Sequence, residues 1–133
     1  GQEKKGITVI PRLPARELKL STDPLRLRQI LYNLLNNAKE ACPEGGKVKI
    51  EVRLDEKDKE IKIDVKDNGP GIPPSDQELI FERFFRGPAQ KSRRRGLGLG
   101  LPFSKLMAQA LGGDLYLKET SAQGTTFTLT LPK

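Results

Sequence analysis

Two stretches of alternation, separated by a short polar turn, do most to limit the fold. Lys47 to Leu54 sets Val48, Ile50, Val52 and Leu54 on one side and charged residues on the other. Glu60 to Lys66 repeats the pattern with Ile61, Ile63 and Val65. A period of two sends successive side chains to opposite faces, so each stretch is a strand with one apolar face. The polar run Asp55 to Lys59 closes them into an antiparallel hairpin. A sheet with one apolar face needs a second layer to cover it.

The flanking sequence supplies that layer. Gly6 to Leu13 alternates loosely around Ile7, Val9 and Ile10 and predicts an early strand, which Leu18 and Leu20 extend or pair with. In Ser21-Thr22-Asp23-Pro24, Asp23 is the expected N-cap of a helix and Pro24 its first residue. Leu27, Ile30, Leu31, Leu34, Ala38 and Ala41 then recur at helical spacing and form its core face, as far as about Cys42. Arg26, Gln29, Asn33 and Asn37 form a second stripe on the same helix. Pro43 and Gly45-Gly46 end it. After the hairpin, Asp67-Asn68-Gly69-Pro70-Gly71-Ile72-Pro73-Pro74 is dense turn chemistry. A short helix is expected around Gln77 to Phe84, then a mobile loop from Phe85 to Arg95. A second amphipathic helix runs from Pro102 to Leu111, with Phe103, Leu106, Met107 and Ala110 as its apolar residues, and stops at Gly112-Gly113. Two strands, Asp114 to Glu119 and Thr125 to Leu131, close the chain. This order predicts a single α+β domain over residues 1–133, a mostly antiparallel sheet on one side and helices on the other.

Composition narrows the chemistry. The chain has no histidine, which removes His-based catalysis, His metal ligands and any phosphohistidine within these 133 residues. Its one cysteine, Cys42, excludes an internal disulfide and a Cys-based zinc site, and its neighbours make it a small core residue. The net charge of +7 raises the question of nucleic acid. The basic residues are scattered apart from Lys91 to Arg95, and five Phe and two Tyr leave little to stack on bases, so no nucleic-acid partner is expected. No apolar run has the length of a membrane span and no signal-peptide pattern opens the sequence. The expectation is a cytoplasmic, monomeric domain that does not itself insert into a membrane.

Against that background four features stand out: the Asn33/Asn37 face, the turn from Asp67 to Gly71, the segment from Phe81 to Arg86, and Gly96-Leu97-Gly98-Leu99-Gly100-Leu101 feeding a helix. Each has a physical use around a nucleotide. Side-chain amides give oxygen to Mg²⁺, a hard ion that keeps several waters. A carboxylate at a strand end accepts from an adenine amino group, and adjacent glycines let the base come close. Helix N-termini and glycine amides receive phosphates, and arginine brings several donors to a γ-phosphate. Each feature also has a plainer use: Asn33 and Asn37 as solvated helix residues, Asp67 as the cap of its own turn, Phe81, Phe84 and Phe85 as core. The chain has no G-x-x-x-x-G-K-[ST] and no G-x-G-x-x-G after a strand, so it is neither a P-loop protein nor a dinucleotide fold.

Taken together and in order, these segments resemble the ATP-binding catalytic domain of sensor histidine kinases, within the wider superfamily of gyrase B, the MutL repair proteins and related chaperones. Leu31 to Ala38 resembles the N box, Asp67 to Ile72 the first glycine box, Ile80 to Arg86 the F box, Gly96 to Leu101 the second glycine box and Gly124-Thr125-Thr126-Phe127 the terminal one. The resemblance covers residues 20 to 132. It implies the Bergerat (GHKL) α/β sandwich, a mixed, mostly antiparallel sheet on one layer of about three helices, with an ATP lid at about 85–100. It implies ATP and Mg²⁺ as ligands, with Asn37 on the metal and Asn33 assisting the metal or the phosphates. Asp67 would meet the adenine amino group, with Gly69, Gly71 and Ile72 lining the base and Thr126 joining the hydrogen bonds. Gly96, Gly98, Gly100 and Leu101 would lie against the phosphates and Arg86 would approach the γ-phosphate. The family's lysine three residues past the second asparagine is Glu40 here, so Lys39 substitutes or the contact is missing. ATP-hydrolysing members carry a glutamate base where this chain has Asn33, and a carboxamide takes no proton from water, so fast hydrolysis is not expected. The implied partners are a His-bearing helical dimerisation domain and a response regulator. Two other activities fit the same fold: an anti-sigma-type protein serine kinase, and a nucleotide-binding module without transfer activity.

Overall fold

The computed structural model describes residues 6–12, 22–82 and 100–133. In chain order the elements are β1 (Thr8–Arg12), α1 (Pro24–Ala41), β2 (Lys47–Asp55), β3 (Glu60–Asp67), α2 (Pro74–Gln77), α3 (Gly100–Ala110), β4 (Asp114–Ser121) and β5 (Gly124–Pro132). The strands form one sheet in the order β1-β2-β3-β5-β4. β1 runs parallel to β2 and every other pair is antiparallel. A parallel pair needs a crossover of a dozen or more residues, and α1 supplies it. The sheet is therefore mixed and mostly antiparallel, as its sequence predicts.

The predicted hairpin has the expected register: Val48 faces Asp67 and Asp55 faces Glu60. Ile61, Ile63 and Val65 of β3 and Phe127, Leu129 and Leu131 of β5 form the sheet's buried apolar face. Ile30, Leu34 and Ala38 of α1 and Met107 and Ala108 of α3 close over it, so the core lies between the sheet and one helical layer. Asp23 caps α1 through its carboxylate, which accepts from the Leu25 N–H at 3.0 Å and the Arg26 N–H at 3.4 Å, and Pro24 is the first helical residue. Cys42 is fully buried, its thiol donating toward the Lys47 carbonyl at 3.5 Å and Asn68 Oδ1 at 3.4 Å.

Two helix boundaries differ from expectation. The short helix expected around Gln77 to Phe84 is one turn, Pro74–Gln77. Proline's fixed φ suits a first helical turn, and Pro73-Pro74 sets the start there, after which residues 78–80 continue only as turns. The second amphipathic helix begins at Gly100, two residues before Pro102, which lies inside the first turn where it loses no intrahelical bond. α3 stops as predicted at its glycine pair: the Gly113 N–H reaches back to the Ala108 carbonyl at 2.9 Å and the Gly112 N–H to Gln109 at 3.0 Å, a Schellman closure. Leu18, Leu20, Phe84 and Phe85 lie outside the described residues. No helix among the described residues is long and apolar enough to cross a membrane.

Candidate functional site

The site is laid out by α1. Asn33, Asn37 and Ala41 stand at i, i+4 and i+8, one slanting row along its surface. Toward the start of that row the Asn33 amide nitrogen donates to Ser104 Oγ of α3 at 3.2 Å, and Ser104 is fully buried. Ser104 is four residues beyond Gly100, about 6 Å along the axis, so Asn33 contacts α3 near its start. At the other end the Ala41 carbonyl lies against the turn after β3: a β-carbon at Gly69 would come within 2.5 Å of it. The row, with Asn37 between Asn33 and Ala41, thus runs from near the start of α3 to the glycine turn. Both asparagines are half-buried, whereas Arg26 and Gln29 of the same stripe are exposed.

Asp67 ends β3 with its side chain on the helix-facing side and is 3% exposed. Its Oδ1 accepts from the Gly69 N–H at 2.8 Å, so it caps its own turn. A carboxylate has two oxygens and several lone pairs, so that bond does not exhaust it as an acceptor. Asn68 secures the other side of the turn by accepting from the Lys47 N–H at 2.9 Å. Gly71 has φ of 89° and would set a β-carbon 2.3 Å from the Ser121 carbonyl. Only glycine adopts that conformation at no steric cost and leaves room for the β4–β5 hairpin to come so close. The Ile72 N–H donates to Thr120 Oγ1 at 2.9 Å, and that hydroxyl is 2.7 Å from Thr125 Oγ1. A cleft of about 670 Å³ opens beside this turn, between Pro70–Pro74, Gln77 and the hairpin tip at Thr120–Ala122. Its lining does not include Asp67 or the asparagines.

Several expected residues fall elsewhere. Thr126 is paired with Lys66 and lines the sheet face away from the helices, whereas Thr125 is paired with Asp67 and shares its face. The threonine beside the candidate adenine contact is therefore Thr125 and not Thr126. Alternation alone carries this signal: Phe127 is a core residue, and two residues back along a strand returns to the same face. Thr120, at the β4 end of the same hydroxyl pair, is marked by no motif. Lys39 is two residues past Asn37 and so about 200° round the helix from it; the structure does not bring it to the asparagine row. It lies instead in the last turn of α1, where a cation complements the helix dipole. Leu101 turns its side chain into the core, leaving its backbone N–H in the first turn of α3, next to that of Gly100. Phe81 is core as read: its ring meets Phe127 edge-on at 6.1 Å and carries the Lys105 ammonium at 4.7 Å. Arg86, Gly96 and Gly98 lie outside the described residues.

The described residues hold no group of three or more His, Cys, Asp or Glu that could cage a metal. Asn37 is the described residue whose amide oxygen would serve Mg²⁺ arriving with a nucleotide, an ion that takes few protein ligands and keeps several waters.

The model of the family of histidine kinase-, DNA gyrase B- and HSP90-like ATPases matches residues 22–133. The sensor histidine kinase WalK of Bacillus subtilis is 39% identical over 131 residues, covering 98% of this chain and 21% of WalK. The mycobacterial sensor histidine kinase MprB superposes with a TM-score of 0.82 at 30% identity, over 96% of this chain and 84% of that one. The catalytic domain of histidine kinase ThkA, in a nucleotide-free form, gives 0.81 at 29%, over 96% and 80%. The chain thus spans about a fifth of the length of WalK and most of the length of an isolated kinase catalytic domain. With the motifs in family order on this sheet and helix layer, the chain belongs to the histidine kinase-, DNA gyrase B- and HSP90-like ATPase family, as an ATP-binding catalytic domain of the sensor histidine kinase kind.

Proposed function

We propose that this domain binds Mg²⁺-ATP across the row from the first turn of α3 to the glycine turn. From there it transfers the γ-phosphoryl group to a histidine on a separate helical dimerisation domain, for onward passage to a response regulator in the cytoplasm. The single observation that carries the proposal is the half-buried Asn33–Asn37 row, which, continued by Ala41, lies between two glycine-bearing segments far apart in sequence.

In this reading Asp67 accepts from the adenine amino group while Gly69, Gly71 and Ile72 line the base and Thr125 shares the hydrogen bonds. Asn37 gives its amide oxygen to Mg²⁺. The ion would neutralise phosphate charge, and the remaining contributions come from the protein. Asn33, held by Ser104, is oriented toward the phosphates. Backbone N–H groups at Gly100 and Leu101, with Gly96 and Gly98, receive phosphate oxygens at a positive helix end. Arg86, in a lid over residues 85–100, meets the γ-phosphate. An acceptor imidazole nitrogen attacks the γ-phosphorus, the bond to the ADP oxygen breaks, and ADP leaves. Positioning and charge stabilisation dominate such a transfer, so it needs no carboxylate base beside the phosphates. With no histidine in these 133 residues, the acceptor lies on another segment or chain.

Calorimetry is expected to give micromolar-range binding of Mg²⁺-ATP, about −7 to −8 kcal/mol. Asn37→Ala should erase most of the difference between titrations with Mg²⁺ and with EDTA. An unchanged metal increment in that variant returns Asn37 to the solvated surface. Incubated with radiolabelled ATP, the domain alone should neither label itself on histidine nor release phosphate quickly. With a His-bearing dimerisation domain it should yield acid-labile label on that partner. Acid-stable label on a partner serine would move the assignment to the anti-sigma type of kinase.

A further inference from the structure

The sheet face turned away from the helices carries a second polar arrangement with no part in the nucleotide reading. Three outward-pointing positions lie in one row across the strands: Lys49 of β2 is directly opposite Lys66 of β3, and Lys66 is directly opposite Thr126 of β5. Like charges directly opposite in an antiparallel pair destabilise it, yet among the described residues neither lysine takes part in an ion pair. Thr126 is 4% exposed, and its Oγ1 has no hydrogen-bond partner among the described residues. All three line a groove of about 350 Å³.

The carboxylates of this groove do not answer the lysines. Asp64 is already engaged: Thr128 Oγ1 donates to it at 2.7 Å, Arg53 Nε at 3.2 Å and Lys118 Nζ at 3.4 Å. Lys118 is the extra residue of a β-bulge between Leu117 and Glu119, a device that re-aims side chains at sheet edges and beside sites. Glu51, Glu119 and Arg12 also border the groove, and among the described residues neither glutamate forms an ion pair with the facing lysines. Two lysines at facing positions beside an unpaired buried hydroxyl give one groove the donors that an oxyanion accepts from.

We propose that Lys49, Lys66 and the Thr126 hydroxyl form a site for a phosphate-type dianion, on the opposite face of the sheet from the nucleotide. The anion sits between the two ammonium groups and accepts from Thr126. The groove is larger than a phosphate alone and has room for the small organic group of a monoester.

The test is an amide NMR titration of this chain with inorganic phosphate and with glycerol 3-phosphate, at ionic strength held constant with chloride. Saturable shifts are expected at Lys49, Lys66, Thr126 and Lys118, with affinity about tenfold weaker in Thr126→Val, the loss of one charge-assisted hydrogen bond, and comparably weaker in Lys66→Gln. Thr126→Val, which removes a buried unsatisfied hydroxyl, should melt at a higher temperature than the parent without phosphate and gain less on its addition. If that variant fails to fold, Lys66→Gln decides. Tighter binding of the ester points to a phosphorylated metabolite, and equal or weaker binding to free phosphate. Linear shifts, unchanged affinity in both variants, or shifts confined to Gly69, Gly100 and Leu101 would overturn the proposal.

Discussion

Asp67 holds its own turn, and the adenine contact proposed for it can be tested apart from that role. Its Oδ1 holds the turn by accepting from the Gly69 N–H. Asp67→Asn keeps one acceptor oxygen for that bond and replaces the other with a donor. The fold should survive, with the melting temperature little changed, while ATP affinity falls at least about tenfold, because a donor now faces the adenine amino group. Calorimetry beside a thermal melt checks both halves. If the variant binds ATP and GTP like the parent, Asp67 serves its turn alone. Asp67, Asn33 and Asn37 stand out in the sequence because their types are poorly suited to a strand end or a helix face, and the structure leaves all three at least half-buried. Thr125 was misassigned to its neighbour because the motif, and not the strand period, was followed across Gly124 to Phe127. Lys39 is adjacent to Glu40 in sequence but about 100° from it round the helix, so the two positions point in different directions.

The elements were legible where a period runs long enough to be read. The β2–β3 hairpin and α1 each repeat their pattern several times, and both appear within a residue or two of their expected ends. α2, four residues long, has no room for a helical period, so its place is set by proline and was read too late. The parallel pairing of β1 with β2 leaves no trace in local pattern; it follows from the crossover through α1. α1 itself rests on its cap. Asp23→Ala removes the acceptor for the Leu25 and Arg26 N–H groups and should cost about 1 kcal/mol, read as a shifted urea midpoint with unchanged slope. The nearby Arg26–Asp23 ion pair, at 3.4 Å between two well-exposed groups, adds little to that figure. No change in midpoint would show that tertiary packing alone holds the helix start.

At the scale of the whole molecule the sheet is tied together by one carboxylate. Asp64 of β3 is held by Arg53 of β2, Lys118 of β4 and Thr128 of β5, so a single side chain joins four strands. Burial alone would raise its pKa, but the hydrogen bonds from Thr128 and Arg53 and the charges of Arg53 and Lys118 outweigh it and hold the carboxyl below its ordinary value. A folded value below the unfolded one means a stabilising contribution that is fully present above about pH 4 and is lost as pH falls through the folded value. Urea unfolding between pH 7 and 2 should show that loss, and Asp64→Asn should flatten the acid limb while destabilising the domain at neutral pH by about 1 to 3 kcal/mol. An acid limb of unchanged steepness would assign it to other carboxylates. A charged residue at an outward strand position reads in sequence as solvated; its burial arises because the long side chains of neighbouring strands close over it, which no single strand reveals. Cys42 offers a different view of the same assembly. Its thiol is sealed where the end of α1 meets the Asn68 turn, so an alkylating reagent can reach it only during the moments when that junction lifts. The chain thus carries a built-in stopwatch: the speed at which its lone sulfur is modified counts the openings of the junction, and any molecule that clamps α1 to the turn slows the count in proportion to its occupancy.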